Sequence, residues 1–170
     1  MQKTTWLAVL MLFGAISSFA DETPRADVAA GYSFMHFGGS GSSNAQGGSF
    51  SAAVNANRWF GIAGDFGAYS QSSTKTFTYL VGPRFSVRTR TRITPYVETL
   101  FGGAHISTSG FGGTNAFAVL AGGGLDLGMS RSVALRPQVD YLAIRSGGST
   151  LNAARISLGL AFRFGSQASR

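Results

Sequence analysis

Few residues in this chain have types and spacing that could do chemistry. His105-Ile106-Ser107 sets an imidazole and a hydroxyl two residues apart, on one face if the segment is extended, as a base and its nucleophile require. Such a pair needs an acid to orient the histidine. The next acid in the chain is Asp126, and its strand register turns it inward, so the pair reads as a rim histidine beside a loop serine. A second constellation is the set Asp27, Asp65, Glu98, Asp126 and Asp140, because paired carboxylates can divide acid and base work. Arg84, Arg136, Arg155 and Arg163 share their alternating face, which favours an ion-pair network over a catalytic cleft. The glycine runs AGGGLDLG and GFGGT open no helix and lack the Lys-Ser/Thr of a phosphate loop. With two histidines and no cysteine, neither a metal nor any other cofactor is expected.

The elements that position these groups alternate. In WFGIAGDFGAY, residues 59 to 69, Phe60, Ile62 and Phe66 fall on one face, while Ala63, Asp65 and Gly67 fall on the other. Burying Asp65 alone in a soluble core would cost several kcal/mol; a barrel with a polar interior and a greasy exterior removes that conflict. Eight such segments are expected, at 26–36, 47–57, 59–70, 75–87, 93–105, 115–128, 132–145 and 151–164, each long enough for the roughly 9 to 11 tilted residues that cross a bilayer. The fold class is therefore all-β, an eight-stranded antiparallel up-and-down transmembrane β-barrel. Its expected lipid-facing side chains include Phe34, Phe60, Ile62, Phe66, Val97, Ile156, Leu158 and Leu160. A soluble lipocalin-like barrel would need the reverse, a heavily charged exterior, and only 12% of these 170 residues are charged.

The N-terminus, MQKTTWLAVLMLFGAISSFA, has a basic start, an apolar run and small residues at Ser18 and Ala20. Residues 1–20 read as a cleaved signal peptide, 21–165 as the barrel and 166–170 as a short periplasmic tail. Basic residues outnumber acidic ones 14 to 7, yet export and the packing of Arg88, Arg90 and Arg92 into one short break, RTRTR, argue against a nucleic-acid partner. The breaks at Asn57-Arg58, RTRTR and Ser130-Arg131 are tight, and HFGGSGSSNAQGG, SQSST, ISTSGFGGT and SGGST are longer or softer, which suggests short turns at one rim and Gly/Ser-rich extracellular loops at the other. Pro83 and Pro137 lie inside strands, where a bulge near the periplasmic rim is the expected accommodation.

ADVAAGYSFM, NRWFGIAGDFGAY, TYLVGPRF, TPYVE, RPQVDYL and ISLGLAFRF together resemble the small outer-membrane β-barrel proteins of Gram-negative bacteria, the group that includes outer-membrane protein A transmembrane domains. The resemblance implies an outer-membrane location, contact with membrane lipids and lipopolysaccharide, and insertion by the outer-membrane assembly machinery, which reads an aromatic-rich last strand. It implies a non-enzymatic role, structural, adhesive or weakly porin-like, with an extracellular ligand that the residues do not name. His105 and Ser107 are also similar to the His-x-Ser pair of outer-membrane lipid A deacylases, the alternative reading.

Overall fold

The computed structural model describes residues 25–38, 43–71, 74–88, 92–108, 111–130 and 132–165. The expected signal peptide and C-terminal tail lie outside them. Eight strands follow in chain order: β1 Arg25–Phe37, β2 Ser43–Asn55, β3 Phe60–Gln71, β4 Thr74–Ser86, β5 Ile93–Thr108, β6 Phe111–Gly128, β7 Val133–Ser146 and β8 Ser149–Phe164. Each pairs antiparallel with its sequence neighbours, and β1 closes on β8, from Ala26 opposite Phe164 to Phe37 opposite Ala153. Closure leaves no edge strand, so every ladder group has a neighbour to bond.

The rim that carries the strand β1 start and the strand β8 end is the proximal one. Two of its turns are capped by side chains: Asn57 Oδ1 accepts from the backbone N–H groups of Trp59 and Phe60 at 2.9 and 2.7 Å, and Ser130 Oγ accepts from that of Val133 at 3.0 Å. Each cap ends one strand and starts the next. At the distal rim, Gly147 and Gly148 have φ of 55° and 89°, the two positive values that a two-residue hairpin of the type I′ class requires.

Two expectations are corrected by the ladders. The glycine- and serine-rich stretches are not long loops: Ser43–Gly47 belongs to β2, Ile106–Thr108 to β5 and Phe111–Thr114 to β6, which leaves the distal connections 38–42, 72–73, 109–110 and 147–148 no longer as a group than the proximal ones. Closed rings satisfy backbone groups by extending hairpins, and that gain outweighs the low strand propensity of glycine and serine. Nor do the prolines sit at bulges. Around Pro83 the β4–β5 ladder lapses between Val81–Phe101 and Arg84–Glu98 and resumes in the same register. The β6–β7 ladder behaves likewise around Pro137, between Gly124–Gln138 and Leu127–Leu135. Each proline removes rungs on one side only, while its other side stays in register with Ile62 or Leu158. The β5–β6 ladder does shift register, at Ser107/Thr108 on the distal rim.

The interior is divided along its axis. Glu98, Gly122 and Asp140 share one inward rung, and the next rung toward the distal rim is Leu100, Leu120 and Leu142, all fully buried. From there outward the lumen is filled by Met35, Phe37, Leu80, Ile144 and small alanines. The charged groups of the anticipated polar interior thus occupy its proximal and middle parts, because β5, β6 and β7 turn leucines and isoleucine inward beyond Glu98 and Asp140, while Thr76 and Thr78 are buried polar residues farther out.

Candidate functional site

The lumen holds the densest chemistry. Asp27, Asp65, Glu98, Asp126 and Asp140 are all buried there with Arg84, Arg136 and Arg155. On the proximal side Arg84 bonds Glu98 through Nε at 2.7 Å and Asp27 through Nη1 at 3.2 Å. Arg136 bonds the same Asp27 oxygen through Nη2 at 2.8 Å and holds Asp126 in a two-pronged grip at 2.6 and 2.9 Å. The Tyr96 ring lies 4.6 and 5.2 Å from those two guanidiniums, a cation–π contact with each. Nearer the middle, Arg155 grips both oxygens of Asp65 at 2.8 and 3.1 Å, bonds Asp140 at 2.7 Å and donates to the Tyr69 hydroxyl at 2.9 Å.

Gln138 joins the two groups. Its Nε2 donates to Glu98 at 2.9 Å and to Asp140 at 3.0 Å, and its carbonyl accepts from the Tyr96 hydroxyl at 2.7 Å. Gly122 makes room for this link, since a Cβ there would overlap the Asp140 carboxylate. Gln138 and both tyrosines were not singled out in the sequence; the signal was their inward parity in β7, β3 and β5. Arg163 stands apart from the other basic residues at the proximal mouth, its side chain 30% exposed and 3.5 Å from Asp126. A cavity of about 20 Å³, room for about one water, lies beside Asp65, Arg136, Gln138 and Ser157. With each of these five carboxylates held by a guanidinium, none of them is placed to give or take a substrate proton.

On the outer face, Phe34, Ile62, Phe66, Val97, Ile156, Leu158 and Leu160 are exposed, and Phe60 is half-buried where the Trp59 and Phe85 rings pack on it. His105 and Ser107 also point outward, in the last turns of β5 rather than in a loop. Asn115 Oδ1 lies 2.7 Å from His105 Nδ1 across the β5–β6 ladder, and Gly113 leaves space beside both His105 Nε2 and Ser107 Oγ. Asp126 is on the opposite face, bound to Arg136. The same histidine–asparagine bond recurs at His36 and Asn44, also 2.7 Å, where the residue two beyond the histidine is Gly38. A pairing that repeats without the serine is a cross-strand device of the distal rim.

Closure, outward apolar faces and an ion-paired lumen define an eight-stranded transmembrane β-barrel. The family model described as outer membrane protein beta-barrel domain matches residues 6–164, and the chain belongs to that family. Among solved structures, it is similar to Neisserial surface protein A, at 16% identity and a TM-score of 0.71 over 82% of this chain and 97% of that one. Ail of Yersinia pestis, solved with the heparin analogue sucrose octasulfate, aligns at 19% identity and 0.58 over 84% and 100%. The N-terminal β-barrel domain of Pseudomonas aeruginosa OprF aligns at 16% and 0.57 over 82% and 97%. A search of curated proteins finds no match.

Proposed function

We propose that this is a non-enzymatic outer-membrane barrel with a sealed lumen, exported by its signal peptide, oriented with its termini in the periplasm and structural rather than porin-like. The observation that supports the reading is the filling of the lumen by an ion-paired lattice and by the buried apolar side chains beside it. The lattice fills the proximal and middle lumen, and on β5, β6 and β7 the buried Leu100–Leu120–Leu142 rung follows Glu98 and Asp140. Leucine side chains offer water no partners, and the cavity of about 20 Å³ beside Asp65 has room for about one water. The short distal connections give an adhesive role little surface beyond the rim itself. That rim presents Lys75, Arg145 and the two histidines outward, suited to the phosphates of lipopolysaccharide, while the assembly machinery would read the aromatic end of β8. Planar-bilayer recording tests the sealed lumen: the purified barrel should show no steady conductance, and a large steady conductance would replace this reading with a pore.

The deacylase alternative has its own measurement. Expression of the chain, with Ser107→Ala and His105→Ala beside it, should leave lipid A acylation unchanged by mass spectrometry. Loss of one acyl chain that depends on both residues would make the protein an enzyme.

A further inference from the structure

Every carboxylate among the described residues is buried in the lumen, so every formal charge those residues expose is positive. At the proximal rim these charges sit at the edge of an aromatic belt. Arg58 is exposed in the β2–β3 turn and is followed by Trp59, 60% exposed, whose ring stacks on Phe85 at 6.0 Å with 12° between planes. Arg92 is exposed just before β5. It neighbours Arg163 across Gly128: a Cβ on that glycine would lie 3.7 Å from Arg92 Cβ and 3.8 Å from Arg163 Nη1. Arg163 has inward parity at the mouth of the lumen, with its Nη2 buried 3.5 Å from Asp126. Tryptophan with its apolar ring at the bilayer edge, and guanidiniums just beyond it, match the depth of glycerol and of phosphate in a lipid leaflet.

We propose that the proximal rim is a binding surface for anionic phospholipid, with Arg58 and Arg92 receiving headgroup phosphate and the Trp59–Phe85 stack lying against glycerol and the first acyl carbons. Guanidinium forks match phosphate oxygens two at a time. Net negative lipid is preferred over zwitterionic lipid for a specific reason. The ammonium of phosphatidylethanolamine needs an acceptor, and the described rim residues expose guanidiniums but no carboxylate. The surface rests on the membrane-barrel reading and not on the direction in which the barrel is inserted.

Trp59 is itself the reporter. In a Trp6→Phe background it is the only tryptophan of the chain, so its quenching by brominated lipid reads the composition next to Arg58. In vesicles of equimolar phosphatidylglycerol and phosphatidylethanolamine, brominating the first lipid should quench Trp59 more than brominating the second. The local enrichment should be about fivefold or more for each arginine engaged. Arg58→Gln with Arg92→Gln should abolish the preference, Arg58→Lys with Arg92→Lys should keep most of it, and Lys75→Gln with Arg145→Gln at the other rim should leave it intact. Heat-modifiable gel mobility confines each comparison to folded barrel, and a barrel that never inserts would show no quenching by either lipid, separating failure of the membrane reading from failure of the surface. Equal quenching by both lipids, a preference untouched by the glutamines, or one erased by inorganic phosphate overturns the proposal. Capture on isolated peptidoglycan that the same glutamines abolish, with no lipid preference, would overturn it in favour of the wall polymer.

Discussion

Arg155 reaches from β8 across the lumen to grip Asp65 on β3 and still bonds Asp140 on the neighbouring β7. Removing Asp65 leaves that guanidinium half-partnered in a dry setting, so Asp65→Ala should destabilise the folded barrel by about 3 to 5 kcal/mol, measured by urea unfolding in detergent or bilayers. The partner is now specific: Asp65→Ala should be strongly non-additive with Arg155→Ala and close to additive with Arg163→Ala, whose side chain is at the mouth. Additivity with Arg155 would mean that the grip contributes nothing. That Asp65 faces inward was legible from alternation in WFGIAGDFGAY. Its partner was not, because the two residues are 90 positions apart and meet only across a closed ring.

At the scale of the strand, the outer face is a depth scale for charge. Leu158 pairs with Tyr32 and Pro137 in the body of the apolar band, whereas Ile62, third residue of β3, and Phe164, last of β8, lie near the proximal rim. Leu158→Arg should cost about 2 to 4 kcal/mol of folding free energy in lipid vesicles, and Phe164→Arg about 0 to 1. Equal costs would mean that the band is mislocated. Ala63, which alternation alone would offer as a harmless inward site, is fully buried among the apolar lumen residues. Arginine there would overfill the interior. Parity tells which way a side chain points, and says nothing of how much room waits for it. The same limit explains the prolines, whose unshifted ladders depend on having a second neighbour strand.

For the whole molecule, the orientation in the membrane is a separate question from the fold, and distal connections no longer than the proximal ones remove the clue that loop length had offered. With eight strands, both ends of the barrel domain lie at one rim. On intact cells an impermeant thiol reagent should label Lys75→Cys and Arg145→Cys and spare Met129→Cys and Ser132→Cys; the opposite pattern would invert the barrel. The sequence by itself determined the strand number, which residues face in and out, the tight breaks at Asn57 and Ser130, and the gathering of acids and arginines on one face, because all of these follow from a two-residue period and turn composition. Only the tertiary structure decided which arginine meets which carboxylate, that Leu100, Leu120 and Leu142 share one rung above Glu98 and Asp140, and that the glycine-rich stretches are strand. Those depend on register and on the closure of β1 against β8, and no local pattern encodes a contact made across the diameter of a ring.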